Sequence, residues 1–400
     1  MNKIIVALLL LAFGFSAKAQ NDNDIKLSAL PYYTYGKGLG LTSPDSIFKL
    51  NIRFRMQNRA TYLELENAES GVEGMIRRLR LKFDGYVGNP KIVYVIQLSF
   101  SPGDVGVIED GDNLNVIRDA IVFYRPNEHW NIGFGQTKLP GNRQRINSSG
   151  ALELTDRTIN NASFNIDRDF GLQVYYLNEK PDSFYYNIKT AISTGEGRNW
   201  TELPQKGLAY TGRLELYPFG AFKDNGAFFE GDILREPTPK LMLSGAYQYN
   251  DGARRTRGTL GEELYEQRNL QSVLIDAIVK YNGWAFETAF MNRMADDPIT
   301  YNPENSSQFR YVVVGQGFDA QLSYVFRNNY SLIGRFSTQE PNKDVVMLMP
   351  ETQQYTFGVT KYIWEHSLKL QAEITKTDFT LNTNPTINDW YVRFQVEIGI

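Results

Sequence analysis

The stretch "RRLRLKFDG", residues 77–85, decides the fold of this chain. Apolar residues occupy every second position, at Leu79, Leu81 and Phe83. The positions between them carry charge, at Arg78, Arg80, Lys82 and Asp84. Because side chains of a β-strand alternate between its two faces, one face of this strand is apolar and the other is charged. The pattern predicts a strand with an apolar medium on one side and a polar compartment on the other.

The same alternation recurs from Phe48 to the end of the chain. Each segment is roughly as long as a tilted strand needs to cross a bilayer. We count about sixteen of them, at residues 47–57, 76–87, 91–100, 116–124, 130–136, 169–177, 184–192, 207–217, 240–250, 270–281, 284–292, 315–326, 330–337, 353–362, 368–376 and 389–400. The repetition indicates an all-β protein, a transmembrane antiparallel β-barrel.

The connections between these segments alternate in length. Short turns include Gly88-Asn89-Pro90 and Asn282-Gly283. The longer, polar connections are residues 58–75, 101–115, 137–168, 193–206, 251–269, 293–314, 338–352 and 377–388. Short periplasmic turns and long extracellular loops are typical of outer-membrane barrels. Residues 218–240 break the rule, because this connection should be a short turn yet is long and partly apolar.

The N-terminus predicts export. Residues 1–19 contain Lys3, an apolar run and an Ala-Lys-Ala cleavage site, which together are typical of a secretory signal peptide. We expect residues 20–46 to form an N-terminal arm and residues 47–400 to form the barrel. The sequence has no cysteine, so disulfides cannot hold the exported protein together. A closed sheet with a paired backbone would suffice.

The charged face must point into the barrel. An arginine or lysine near the bilayer midplane costs about 2–4 kcal/mol, so a row of three would cost roughly as much as a domain's whole stability. The alternative, a soluble antiparallel sheet with its charged face in water, does not explain the signal peptide or the alternating loop lengths. The arginines therefore line a pore.

Basic residues dominate the predicted lumen early in the chain. Rings of arginine and lysine favour anions, and the planar fork of arginine suits phosphate and carboxylate. The alternative is that these cations pair with lumen carboxylates and select nothing. The wall positions that we assign to an anion pathway are Arg53, Arg55, Arg78, Arg80, Lys82, Arg118 and Arg213.

The third long loop, residues 137–168, is too apolar to float freely in water. We expect it to fold inward and constrict the pore, whereas the alternative is an external flap packed on a neighbouring subunit. An inward loop would add Lys138, Arg143, Arg145, Arg157 and Arg168 to the anion pathway.

Enzymatic and metal-binding signals are weak. The two histidines, His129 and His366, fall in short turns beside tryptophans and are interpreted as interfacial residues. No G-x-S-x-G or H-E-x-x-H motif occurs, so we expect neither catalysis nor a cofactor. A net charge of −3 favours no polyanionic partner such as nucleic acid.

Three stretches resemble the phosphate-selective porin O and P family in its Bacteroidetes-type form. They are "RRLRLKFDGYVGNPKIVYVIQLSF", "IRDAIVFYRPNEHWNIGFGQTKLPGNRQRI" and "LELTDRTINNASFNIDRDFGLQVYY". The resemblance implies a sixteen-stranded barrel, a trimeric assembly, and a basic pore with an inward-folded third loop. It also implies that Lys138, in the "GQ-x-K-x-P" piece, is the constriction lysine.

The sequence thus predicts a passive outer-membrane porin that favours small anions such as phosphate. Its partners would be outer-membrane lipid, lipopolysaccharide and further copies of the chain in a homotrimer. One alternative is a general or sugar-permeable pore, with Tyr175, Tyr185 and Tyr186 stacking on sugar rings. Two others are a non-conducting structural barrel in a larger complex, motivated by residues 218–240, and a barrel lipase.

Overall fold

The computed structural model describes residues 38–105, 115–200, 207–382 and 385–400. The predicted signal peptide, residues 1–19, and most of the predicted arm lie outside the described residues. Sixteen barrel strands are numbered here in chain order. They are β1 (Phe48–Glu64), β2 (Gly71–Val87), β3 (Ile92–Ser99), β4 (Ile117–Tyr124), β5 (Trp130–Lys138), β6 (Arg168–Leu177), β7 (Tyr185–Ser193), β8 (Ala209–Tyr217), β9 (Lys240–Arg255), β10 (Glu263–Tyr281), β11 (Trp284–Ala295), β12 (Gly315–Val325), β13 (Tyr330–Pro341), β14 (Glu351–Trp364), β15 (Leu368–Thr380) and β16 (Ile387–Gly399).

The predicted barrel is confirmed. Each strand pairs antiparallel with the next, and β16 pairs with β1 from Trp390↔Glu64 to Gly399↔Arg55, which closes the sheet. Closure leaves no free edge, so the backbone groups of the wall satisfy one another without disulfides. A short strand, Leu39–Thr42, lies antiparallel to the beginning of β1. In the described residues no helix is long and apolar enough to cross a membrane.

The outer surface carries a continuous apolar band. Large apolar side chains in the middle of successive strands are exposed, among them Phe134, Leu172, Ile275, Phe357 and Phe394. Polar neighbours in the same strands point inward and are buried, as Lys369, Gln371 and Glu373 do in β15. An exposed apolar row on nearly every strand is the lipid-facing belt of an outer-membrane barrel.

Aromatic residues flank this band at both ends. Near the short turns, Trp130 packs edge-on against Tyr176 at 5.2 Å, and Trp284 lies 4.7 Å from Tyr324. At the opposite end, Tyr62 lies 5.6 Å from Trp390. Amphipathic aromatic rings prefer the membrane–water interface, so the two girdles mark the edges of the bilayer.

The predicted alternation of turn lengths holds, but several loops are shorter than expected. The connection predicted at residues 58–75 shrinks to 65–70, and the one predicted at 251–269 shrinks to 256–262. Alternation predicts a strand only where its outer face is apolar, and a strand needs an apolar outer face only where it meets lipid. The predicted strands therefore end too early and the predicted loops are too long. Beyond the lipid the strands continue as hairpins, because backbone pairing there does not depend on which side chains face outward.

The third loop, residues 139–167, folds into the barrel as predicted. The alternative, an external flap packed on a neighbouring subunit, is therefore wrong. Its apolar side chains Leu139, Phe164 and Ile166 are buried against the inward-facing Leu274 and Met291 of β10 and β11. The loop contains two short helices, α2 (Arg143–Ile146) and α3 (Ile159–Phe164), which follow α1 (Pro102–Val105) of the preceding loop. Burial of these apolar residues explains why the loop does not extend into water.

The connection between β8 and β9 also folds into the lumen. We call residues 218–239 the inlet segment; it forms a 3₁₀ helix over Lys223–Phe228 and buries Phe222, Phe229 and Glu230. Other turns at this periplasmic end have seven residues or fewer. The third loop and the inlet segment therefore enter the barrel from opposite ends.

Replacement of Phe357 by arginine tests the lipid-facing belt. Phe357 lies at the middle of β14 and is 55% exposed. We expect the free energy of unfolding in lipid vesicles to fall by about 2–4 kcal/mol, the cost of arginine near the bilayer midplane. Phe357→Leu, which keeps an apolar side chain, is the matched control. Equal stability of the two variants would show that this position does not meet lipid.

Candidate functional site

A strongly basic cavity lies between the third loop and the wall formed by β1–β6. Its volume is about 310 Å³, far above the roughly 10–15 Å³ that one water molecule requires. Twelve basic side chains in the described part of the chain line it: Arg55, Arg77, Arg78, Arg80, Lys82, Arg118, Lys138, Arg145, Arg157, Arg168, Arg198 and Arg257. The acidic lining residues in the same ranges are Asp104, Asp119 and Asp167. We call this space the basic cavity.

The pairing of β1 with β2 stacks its cations into a row. Arg53 lies opposite Lys82 and Arg55 opposite Arg80, so consecutive inward positions along the two strands carry cations. Near the extracellular end the register shifts between Gln57 and Asn58, which leaves Arg77 as an extra residue. Such a β-bulge re-aims a side chain, and here it brings Arg77 into the cavity lining beside Arg78.

Carboxylates on the flanking loops anchor these cations. Asp104 accepts hydrogen bonds from Arg80 (Nη2, 2.6 Å) and Ser99 (Oγ, 2.7 Å), and forms an ion pair with Arg118 at 3.0 Å. Asp156 of the third loop forms ion pairs with Arg59, Arg77 and Arg78, at N···O distances of 3.1, 2.9 and 2.9 Å. Burial opposes ionisation of both acids, but the surrounding guanidinium groups hold the pKa of each carboxyl well below its usual range.

In the described part of the chain, two arginine donors at the cavity have no protein acceptor. The buried Nε–H groups of Arg78 and Arg118 have no hydrogen-bond acceptor among the described residues. A buried donor without an acceptor costs roughly 1–3 kcal/mol. An anion with several oxygens, held in the fork of two guanidinium groups, would satisfy such donors.

A second, smaller cavity continues from the first toward the periplasmic end. Its volume is about 30 Å³, and both cavities are lined by Arg55, Arg80 and Lys82. The smaller cavity also touches Arg53 and the C-terminal Ile400. The two cavities thus share part of their lining along β1–β3.

The structure brings most of the predicted site residues together. Nine of the twelve line the basic cavity, namely Arg55, Arg78, Arg80, Lys82, Arg118, Lys138, Arg145, Arg157 and Arg168, and Arg53 lines the smaller cavity below it. Arg143 points away from both, because its guanidinium group pairs with Glu287 of β11. Arg213 is fully buried in ion pairs with Glu215 and Asp276 and lines neither cavity.

Lys138, the predicted constriction lysine, holds the third loop in shape. Its ammonium group donates to the backbone oxygens of Ile146 (2.7 Å) and Asn147 (2.8 Å), at the end of α2. Arg157 supports the same turn, donating to Gln144 O at 2.7 Å and Asn147 O at 3.0 Å. Both residues contribute charge to the cavity wall, but these hydrogen bonds to backbone oxygens of the third loop are structural.

Three cavity residues escaped the sequence analysis. Arg77 could have been found, since Ile76 and Leu79 both face outward and two arginines between them require a bulge. Arg198 and Arg257 lie on the fourth and fifth loops, where the alternation of a strand does not predict which way a side chain points.

The histidine interpretation was wrong for His366, which is buried beside Phe229 and Tyr362 rather than exposed at the membrane interface. In the described ranges no cluster of three or more His, Cys, Asp or Glu side chains could hold a metal ion.

Replacement of Asp104 by asparagine tests the balance of charge in the cavity. The variant keeps an oxygen acceptor but removes the negative charge that neutralises Arg80 and Arg118. We expect phosphate to block chloride current at severalfold lower concentration, because the cavity gains one net positive charge. Asp182→Asn, an exposed residue of a periplasmic turn, is the matched control. An unchanged or higher blocking concentration would show that the charge of Asp104 does not act on phosphate in the cavity.

Comparison with known proteins agrees with this geometry. Residues 48–203 match the family described as phosphate-selective porin O and P, which confirms the resemblance predicted from the sequence. No protein of curated function matches the sequence. The fold is similar to that of the outer-membrane channel DcaP of Acinetobacter baumannii, with a TM-score of 0.58 at 12% identity, covering 90% of this chain and 99% of that one.

Two further solved structures have a similar fold. Salmonella typhi OmpF, in complex with daunomycin, gives a TM-score of 0.55 at 12% identity, with 90% of this chain and 100% of that chain covered. In-vitro folded OmpT, an outer-membrane protein of Vibrio cholerae, gives 0.51 at 12% identity, with 90% and 99% covered. Together, the family match and the fold support an outer-membrane channel and suggest a channel rather than an enzyme.

Proposed function

Because residues 48–203 match the phosphate-selective porin O and P family and the described residues have a porin fold, we propose that this protein is an outer-membrane porin that passes small anions such as phosphate by passive diffusion. The chain needs no cofactor for this role. A solute would enter the basic cavity from the extracellular side and leave through the smaller cavity along β1–β3.

The charge of the basic cavity carries this proposal. Twelve basic residues against three acidic ones, counted over the described residues, surround a space inside a barrel whose outer surface is apolar. A low-dielectric wall focuses the field of fixed charges into the path, which raises the local concentration of anions and excludes cations. Arginine forks also match the tetrahedral oxygens of phosphate better than they match a monoatomic ion.

The sequence features that motivated the alternative functions do not lie where those functions need them. For a sugar-permeable pore, Tyr175 is buried in a cluster with Phe123, Tyr185 stacks on Tyr217 at 4.2 Å, and Tyr186 packs against Tyr176, so none of the three lines the cavity. For a structural barrel, the long connection 218–240 folds into the protein's own lumen. A lipase would need a nucleophile beside a base, and His366 is packed among aromatic rings instead.

Block of chloride current by phosphate tests the proposed function. Purified protein in a planar bilayer should show chloride current that millimolar phosphate reduces reversibly, because a bound phosphate fills the path that chloride uses. Liposome swelling should be faster with phosphate salts than with neutral polyols of similar size. Insensitivity to phosphate, together with rapid swelling in sugars, would identify a general pore.

The remaining expectations belong to the same proposal. The family resemblance favours a homotrimer embedded among outer-membrane lipid and lipopolysaccharide, and mass measurement in detergent would establish the number of subunits. Export would depend on residues 1–19, which N-terminal sequencing of the mature protein would test. We propose the twelve predicted cations as the starting set for mutagenesis, with Arg143 and Arg213 expected to act on stability.

A further inference from the structure

The inlet segment reaches the third loop inside the barrel. At its tip, Glu230 accepts hydrogen bonds from Gln144 Nε2 (3.0 Å) and from the backbone N–H of Glu153 (2.8 Å). The backbone N–H of Glu230 donates to Ala151 O at 2.9 Å. Arg143 donates to Ala227 O at 3.1 Å. A segment from the periplasmic end and a loop from the extracellular end thus form one continuous layer across part of the lumen.

The backbone at this junction leaves no room for adjustment. Gly231 has a φ of +68°, a conformation that favours glycine. A Cβ at this position would lie 2.4 Å from Oε1 of Glu153 in the third loop. The Glu153 side chain of the third loop therefore packs directly against the backbone of the inlet segment.

The base of the inlet segment is attached to the neighbouring periplasmic turns and strand ends. Asp232 accepts a hydrogen bond from the backbone N–H of Gly283 at 2.7 Å. The backbone N–H of Asn282 donates to Glu236 O at 2.9 Å. Arg235 donates to Val325 O and to the hydroxyl of Tyr324. Phe222 packs among Tyr217, Met242 and Ile278. The segment is thus fixed to the wall of β8–β12 rather than hanging from the rim.

The cavities described beside the inlet segment are small. Between the third loop and the wall of β10–β12, the described residues enclose a cavity of only about 30 Å³. Beside Gly231, Asp232 and His366 the space is about 20 Å³. On the opposite side, along β1–β6, the basic cavity holds about 310 Å³. Among these three described cavities, the large one therefore lies on the cationic side.

We infer that the inlet segment is a built-in plug that seals the β9–β14 side of the lumen and, through Glu230, positions the third loop, so that every permeating solute must pass the arginine row. This inference rests on the proposed function for the identity of the solute, but sealing itself does not depend on ion selectivity. Glu230 is a positioning residue, since it touches the third loop and not the basic cavity.

Cysteine accessibility tests the seal in the intact chain. The natural sequence has no cysteine, so a single introduced thiol reports one position. Ser323→Cys places it on β12 in the sealed half, where Ser323 is 2% exposed, and Gln97→Cys places it on the wall shared by both cavities. A small charged thiol reagent should modify Gln97→Cys readily and Ser323→Cys at least roughly tenfold more slowly, because access to the latter needs local opening. Equal rates at the two positions would overturn the inference.

Two changes to the inlet segment complete the test. Replacement of residues 221–236 by a short Asn-Gly turn should raise single-channel conductance severalfold and make Ser323→Cys reactive. Should that chain fail to fold, Glu230→Gln should still speed modification of Ser323→Cys relative to the unmodified segment. Unchanged conductance in the shortened chain, or an unchanged rate with Glu230→Gln, would contradict the plug. If the wild-type channel lacks anion preference, the proposed function fails, while a rise in conductance would still support the seal.

Discussion

Replacement of Lys82 by glutamate should remove most of the proposed preference for anions. Lys82 lines both cavities and lies opposite Arg53 and next to Arg80 in the wall. Two unit charges 4 Å apart interact by about 1 kcal/mol in bulk water and about 4 kcal/mol near a protein surface. Since 1.4 kcal/mol is tenfold in an equilibrium, removal of the positive charge alone should lower the anion-to-cation permeability ratio by at least about fivefold. The glutamate should lower it further.

Reversal potentials in a salt gradient measure this ratio. Lys82→Gln should fall between the wild type and Lys82→Glu, because it removes one charge rather than two. Lys343→Glu makes the same chemical change on an exposed extracellular loop and should leave the ratio unchanged. A Lys82→Glu channel with wild-type selectivity would show that the route does not follow β1–β3.

Replacement of Arg213 by methionine should damage stability far more than selectivity. Arg213 is fully buried, and its guanidinium group donates to Glu215 (2.9 Å), Ser244 (2.7 Å) and Asp276 (3.1 Å). Removal of one partner from a buried ion pair typically costs about 3–5 kcal/mol, because the remaining carboxylate stays buried without its cation. We expect a loss of this size in the free energy of unfolding, measured by urea titration in lipid vesicles.

A second substitution separates the charge effect from the loss of packing. Arg213→Met combined with Asp276→Asn should recover part of the lost stability, since the orphaned carboxylate is then neutral. Folded Arg213→Met channels should differ less from wild type in selectivity than Lys82→Glu channels. A stable Arg213→Met protein with reduced anion preference would return Arg213 to the pathway and remove it from the structural core.

The barrel was predictable from the sequence because lipid imposes a period of two on every strand. All sixteen predicted segments coincide with barrel strands, and the apolar residues of the third loop correctly indicated that it folds inward. Strand ends beyond the lipid were not predictable, since the outer face of a hairpin in water carries no requirement for apolar residues. The bulge that re-aims Arg77 was visible as two arginines between two outward-facing apolar residues.

The arrangement of the site was predictable only in part. Alternation shows that Arg213 and Arg78 point inward, but it does not show which inward positions face open space. That depends on what else fills the lumen, and the fillers are distant in sequence. Arg143 turns to Glu287 across the barrel, and the inlet segment occupies the space beneath. Contacts between residues more than a hundred positions apart leave no local pattern to detect.

The reversal potential of the wild-type channel under a potassium chloride gradient tests the central claim most directly. A cationic wall that confines solutes to one route predicts a reversal potential close to the equilibrium potential of chloride. The permeability ratio would then be well in favour of the anion. A potential near zero, or one displaced toward that of potassium, would contradict the account.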